Sequence, residues 1–211
     1  MKKFEDRKEA ARQLLPHLKK YAGKLDALLI VIPRGALQMG AVLRDELELP
    51  LDIVVTKKIG APDNEEFAIG AVDPEGGVIM NDEVMMHLDI PEGYLDRTVE
   101  RLQGLIEKRY RDYRGDLPLP VFRGKTVIVV DDGIATGLTT LAAIRYIRKQ
   151  KPAKLVLAVP VAAHDSAAKL EKEADELICL MRPEDFDAVG QFYKHFPQVE
   201  DEEAIRLLQL K

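Results

Sequence analysis

Val127-Ile128-Val129-Val130-Asp131-Asp132-Gly133-Ile134-Ala135-Thr136-Gly137-Leu138-Thr139-Thr140 decides the fold of this chain. The run Thr126 to Val130 is apolar without alternation, the signature of a strand buried on both faces. Two adjacent acids end it. Small and hydroxyl-bearing residues then lead into a helix predicted from Thr139 to Lys149. A helix start exposes free backbone N–H groups and the positive end of the helix dipole. Gly133 and Gly137 let the backbone approach an anion closely. The hydroxyls of Thr136, Thr139 and Thr140 add donors suited to phosphate oxygens. The acids can accept hydrogen bonds from sugar hydroxyls or face a metal. One loop therefore suits a molecule that carries both a phosphate and a diol. The stretch contains neither GxxxxGK[ST] nor GxGxxG, so nucleotide-hydrolysing and dinucleotide-binding loops do not fit it.

Outward from this stretch the same grammar repeats. Ala27–Ile32 reads as a strand that ends at Pro33-Arg34-Gly35 and enters a helix with Leu37, Ala41, Val42 and Leu47 on one face. Ile53–Thr56 reads as a second strand. Leu155–Val161 and Glu176–Leu180 read as later strands, with a helix over Ser166–Glu173 between them. Residues 4–22 carry a helical stripe that Pro16 should kink or split. A long helix is predicted from Glu92 to Tyr113, with Arg109, Arg111 and Arg114 crowding its end. Lys57–Phe67 holds Gly60, Pro62, Asp63 and Asn64 and reads as a loop. Ala68–Val72 and Val78–Met80 read as paired strands across a turn at 73–77. Apolar strands alternating with helices specify an α/β fold: a mostly parallel twisted sheet with helices on both faces. In such sheets ligands sit at the carboxyl ends of the strands.

Composition excludes several function classes. The 211 residues carry 31 Lys plus Arg against 36 Asp plus Glu, a net charge of −5. That balance argues against a general nucleic-acid binder, for which the basic helix end at Arg109, Arg111 and Arg114 is the sole candidate surface. Cys179 is the only cysteine, which excludes intrachain disulfides and a Cys-based zinc site. No apolar run approaches the roughly 18 residues of a membrane span. Lys2 and Lys3 are followed by charged residues rather than an apolar core, so the N-terminus does not read as a signal peptide and a cytoplasmic location is expected.

The hydrophobic-Asp-Asp-Gly-x-x-Thr-Gly run of residues 130–137 resembles the donor-binding motif of the type I phosphoribosyltransferases. The resemblance is strongest to a bacterial branch whose acceptor is not defined. It implies one domain over residues 1–211, with a small hood built from the N-terminal, middle and C-terminal segments. It implies an enzyme that moves the 5-phosphoribosyl group from 5-phosphoribosyl-1-pyrophosphate to a nitrogen nucleophile, a nucleobase or related heterocycle, and releases pyrophosphate. Asp131 and Asp132 would hold the ribose hydroxyls. Ala135 to Thr140 would hold the 5′-phosphate, with Gly133 and Ile134 in the same loop. Ile32-Pro33-Arg34-Gly35-Ala36 resembles the pyrophosphate loop, in which a cis peptide would fall at Pro33–Arg34. Arg34 would grip pyrophosphate. Ala135 stands where hypoxanthine-guanine enzymes carry an aspartate, which counts against that specificity.

The implied catalytic set is Asp131, Asp132, Arg34, Lys57 and Lys58; strand-end lysines also serve as solubilising residues. Loop 59–67 is similar to a water-excluding lid, and its Glu65 and Glu66 read as solvated acids. Phe186, Phe192 and Tyr193 would stack on the acceptor, or else pack a C-terminal helix onto the sheet. Mg2+ is the implied cofactor, carried on pyrophosphate near Asp131 and Asp132 rather than by a protein-only ligand set. The implied partners are the two small substrates and a second copy of the chain. Two other classes stay open. One is a regulator that binds the donor without turning it over. The other is a phosphoacceptor receiver domain, whose acidic pair would have to come earlier in the chain.

Overall fold

A computed structural model describes residues 3–208. Five strands form the main sheet: β1 (Ala27–Val31), β2 (Leu51–Ile53), β6 (Thr126–Val130), β7 (Lys154–Val161) and β8 (Glu176–Met181). All neighbours are parallel, in the order β2-β1-β6-β7-β8. Alternate side chains serve two cores. Leu29, Val31, Ile128, Val130, Val156 and Ala158 face helices α1 (Arg7–Leu18), α2 (Ala36–Leu47), α4 (Tyr94–Arg114) and α7 (Asp201–Leu208). Leu28, Ile30, Val127, Val129, Leu155 and Leu157 face α5 (Leu138–Lys149) and α6 (His164–Leu170). Burial on both faces explains why these strands are apolar throughout.

The chain leaves β1 toward β2 on one side and returns to β6 on the other. The order therefore reverses between β1 and β6, the place where a crevice opens beyond the strand ends. The two loops singled out by sequence, 33–35 and 131–137, flank that crevice.

A second sheet is antiparallel: β3 (Lys57–Ala61), β4 (Asn64–Val72) and β5 (Val78–Met80), followed by the single-turn α3 (Asp82–Met85). It fits the hood. Ala71 of β4 is buried against Leu138 and Ala142 in the first turns of α5, which seats the hood over the crevice. Lys149 Nζ reaches Asp73 Oδ2 at 3.0 Å and ties the hood turn to the far end of α5.

Several sequence expectations need correction. Residues 57–67 are not a loop but most of a hairpin, with Gly60 and Asn64 inside strands. Gly60 is required there, because a Cβ would collide with the Glu65 backbone. β2 spans Leu51–Ile53 rather than 53–56. Its charged Asp52 hides the pattern, being buried and paired bidentately with Arg114 at 2.9 and 2.7 Å. Helix α1 continues through Pro16 to Leu18. The proline lies in the last turn, where it removes only one backbone donor. Residues 186–196 contain no α-helix, only a 3-10 turn at Val189–Phe192. The C-terminal helix, α7, comes later.

Candidate active site

Asp131 and Asp132 follow β6 directly, and each carboxylate is committed. Asp131 Oδ1 accepts from the Asp132 N–H at 2.9 Å, and its Oδ2 accepts from the Thr140 hydroxyl at 3.0 Å. Asp132 Oδ2 accepts from Arg7 Nε at 2.7 Å. Arg7 is buried in α1, donates to the Pro197 carbonyl at 2.7 Å, and lies 3.6 Å above the Phe196 ring. The Tyr193 hydroxyl donates to the backbone carbonyl of Asp132.

This asymmetry separates the two acids electrically. Burial and the adjacent Asp132 carboxylate push Asp131 well above the usual carboxylate range. Burial also raises Asp132, but the Arg7 charge and hydrogen bond oppose it. Two carboxylates thus share one fixed cation. The remaining negative charge and hard oxygen donors fit a divalent cation such as Mg2+, most of whose ligands come from elsewhere. Among the described residues no group of three or more His, Cys, Asp or Glu side chains could hold a metal unaided.

The loop after β1 meets these acids. The Pro33–Arg34 peptide is cis. At Gly35, a Cβ would collide with Asp132 Oδ2 and fall 2.9 Å from Arg7 Nε, so only glycine allows the two loops this proximity. Gly137 closes the other loop with φ of +75° and starts α5. Ala135 and Thr136 are exposed, Thr139 is half-buried and Thr140 is buried on Asp131. The Ala135 carbonyl accepts from Ser166 Oγ, which fixes the loop against α6.

The basic residues divide. Arg34 Nη1 is 3.5 Å from Asp201 Oδ1 and 4.0 Å from Glu200 Oε2. Lys57 is half-buried, and its ammonium is lowered by burial and by the nearby Arg109 and Arg34 charges. Lys58 points to the other face of β3, as strand alternation requires. There it pairs with Glu66 at 2.9 Å, so it does not join Arg34. Glu65 lies 3.8 Å from Arg101 at the hairpin's exposed edge.

Sequence reasoning placed Arg109 only on the basic helix end and missed its position beside Arg34, across the Asp201 carboxylate. Arg109, Arg111 and Arg114 go three ways. Arg109 faces Asp201 at 3.6 Å, Arg111 pairs with Glu107 on an exposed helix face, and Arg114 is buried on Asp52. The proposed nucleic-acid surface is therefore not a continuous patch. Helical spacing could not distinguish them, because the partners of Arg109 and Arg114 lie on distant segments, while Arg111 pairs within its own helix.

The aromatics also divide. Phe192 is fully buried and packs 4.8 Å from Phe186. Tyr193 is buried between Phe4 and Phe196, with ring centroids 5.4 and 4.8 Å away. Neither offers a free face to an acceptor. Phe186 does keep exposed surface and lines a cavity of about 380 Å3 with Ala163, His164, Asp165 and Glu184.

A family model described as the phosphoribosyl transferase domain matches residues 3–195. The chain belongs to this family. Two Mycobacterium tuberculosis proteins, provisionally named phosphoribosyl transferases, are 38% identical over 99% of this chain. The chain spans 47% of their length, about half of the curated relatives it matches. The crystal structure of TT1426 from Thermus thermophilus is 34% identical, covers 99% of this chain and 98% of its own, and superposes with a TM-score of 0.78. A hypothetical protein from Neisseria gonorrhoeae, solved with bound ppGpp, shares the fold at a TM-score of 0.50 and 16% identity, over 99% of this chain and 96% of its own. The superposition on TT1426 extends over nearly the whole of both chains, so the five-stranded parallel sheet and the small antiparallel sheet belong to a fold the two share.

Proposed function

We propose that the chain transfers the 5-phosphoribosyl group from 5-phosphoribosyl-1-pyrophosphate to a nitrogen nucleophile. The observation that carries this reading is the contact of two strand-end loops at the β1/β6 crevice, with Gly35 pressed against the Asp132 carboxylate. That contact sets an anion-gripping loop beside an acidic pair, as a donor with pyrophosphate and a diol on adjacent ribose carbons requires.

Asp131 and Asp132 hold the ribose hydroxyls. The free N–H groups from Ala135 to Thr140 and the hydroxyls of Thr136 and Thr139 hold the 5′-phosphate at the start of α5, while the buried Thr140 hydroxyl is spent on Asp131. Pro33, Arg34 and Gly35 line the pyrophosphate side, with Lys57 adding charge. Mg2+, when bound, neutralises pyrophosphate oxygens and leaves ribose C1 more electrophilic. The C1–O bond breaks with its electron pair leaving on pyrophosphate as the acceptor nitrogen forms a bond to C1, and the acceptor's N–H proton passes to solvent. Positive charge develops on the ribose, where the Asp131–Asp132 pair meets it. Catalysis is mainly positional and electrostatic. The acceptor is a nitrogen heterocycle of nucleobase size, entering the cavity beside Phe186.

Thermal unfolding with the donor plus Mg2+, against Mg2+ and pyrophosphate alone, tests the reading. Ligand at about 100 times its dissociation constant stabilises by about 2.7 kcal/mol, a shift of roughly 5–10 °C for a chain of this size. A shift specific to the whole donor supports the site, and the absence of one at millimolar donor overturns it. Saturable donor binding without pyrophosphate release, across a panel of bases, would make the chain a donor-binding regulator instead.

A further inference from the structure

We propose that Arg109 completes the pyrophosphate subsite and that the Asp201 carboxylate is its built-in occupant, displaced when pyrophosphate enters. This rests on the donor reading above and extends it to two residues outside the recognised loops. Asp201 also lies beyond residues 3–195 of the family match.

Three cations converge from separate elements: Arg34 after β1, Lys57 on β3 and Arg109 on α4. Asp201 Oδ1, at the start of α7, stands 3.5 Å from Arg34 and 3.6 Å from Arg109. Lys57 feels all three charges and makes no ion pair among the described residues. Glu200 reaches only Arg34, at 4.0 Å, from an exposed position. The cluster therefore holds three positive charges against one well-placed negative one. Repulsion from Arg109 and Arg34 lowers the Lys57 ammonium further than burial alone does.

The two arginines hold the occupant loosely. A charge-assisted N–H···O bond closes to about 2.7–2.9 Å, and neither arginine comes that near. Only the buried Tyr113 hydroxyl makes a true hydrogen bond to Asp201 Oδ1. Most guanidinium donors are thus still unspent, and a diphosphate carries more charge and more oxygens than one carboxylate. The Thr56 hydroxyl, next to Lys57 in the chain, is buried without a hydrogen-bond partner among the described residues. The Asp201 carboxylate keeps the three cations together in the free protein and yields to the stronger anion.

Binding of inorganic pyrophosphate with Mg2+ to the full chain, measured by calorimetry, tests this. Arg109→Gln should weaken pyrophosphate binding at least about tenfold, as expected for losing charge-assisted hydrogen bonds, and Arg109→Lys should recover part of the loss. Asp201→Asn keeps an acceptor for Tyr113 but removes the competing charge, and should tighten binding several-fold. Circular dichroism and thermal midpoints establish that each variant is folded. Unchanged pyrophosphate affinity in folded Arg109→Gln, or weaker binding in Asp201→Asn, overturns the inference. If the wild type still binds the whole donor in those cases, the donor reading stands. A wild type that binds neither donor nor pyrophosphate overturns both.

Discussion

At the residue scale, Asp131 shows a conflict between folding and the proposed chemistry. Its carboxylate sits beside a second carboxylate with a hydroxyl and one N–H as its partners. A folded-state pKa raised above the unfolded value means the native state binds the proton more tightly. The Asp131 contribution therefore makes stability fall as pH rises from the unfolded carboxylate pKa through the raised folded one. Asp131→Asn removes that titration. The variant should be more stable than wild type at neutral pH, and the gap should shrink as pH drops into the carboxylate range, by thermal midpoints across pH. Its transfer rate should fall at least about hundredfold, the scale of losing a charge aimed at the transition state. The double variant Asp131→Asn with Asp132→Asn should have no turnover while remaining folded. Undiminished turnover in it would remove the acids from the site. The acidic pair was legible because two acids after a buried strand violate the pattern around them. The fate of Arg109 was not, since a cation on an amphipathic helix is indistinguishable from its solvated neighbours until the chain folds.

At the element scale, the site depends on α1, which shares no motif with it. Arg7 crosses from α1 to Asp132, stacks on Phe196 and donates to Pro197. Helix α1 itself is started by the Asp6 carboxylate, which accepts from the Glu9 N–H at 2.7 Å. The extended segments at 4 and 192–194 pair beside it, with Phe4 N–H on the Phe192 carbonyl at 2.8 Å. Arg7→Ala leaves the largely enclosed Asp132 carboxylate without its cation, which costs about 3 kcal/mol. For this chain length that is a drop of roughly 6–12 °C in thermal midpoint. A drop of only a degree or two would show that the pair is replaced by water. Gly35→Ala attacks the same contact from the other side and should abolish donor stabilisation in the thermal assay. The strand of residues 126–130 was readable because both its faces are apolar. The hairpin of β3 and β4 was not, because its outer half, Asn64 to Phe67, is exposed and its turn residues read as loop. Asp52 concealed the start of β2 in the same way, its charge being satisfied by an arginine 62 positions away.

At the scale of the whole molecule, charge is distributed against its sum. The chain carries a net −5, yet Arg34, Lys57 and Arg109 converge at one edge of the crevice. Composition gives the sum, while only the fold determines where the cations meet. Elsewhere the opposite charges are interleaved, as at Glu176, which holds Lys20, Lys154 and the Tyr21 hydroxyl at the start of β8. Burial would raise that acid, but these hydrogen bonds outweigh it and hold it down at about 2. A depressed carboxylate stabilises the fold above its unfolded pKa and loses that effect as pH falls toward the folded one. Because both lysines that hold Glu176 are solvent-exposed, Glu176→Gln should cost only about 1 kcal/mol at neutral pH, and progressively less as pH falls toward 2. The crevice should behave differently toward salt. A trianionic or tetra-anionic group approaching a molecule of net negative charge is repelled at long range and attracted only near the cations. The Debye length falls from about 10 Å at 0.1 M salt to about 3 Å at 1 M. That screens the distant acids before it screens contacts of 3–4 Å. Donor affinity should therefore change little, or rise slightly, on the first addition of salt, and fall several-fold only toward 1 M. Titration of donor binding against an inert monovalent salt checks this. A steep monotonic loss from the lowest concentrations would mean that a broad positive field, rather than the local cluster, draws the donor in.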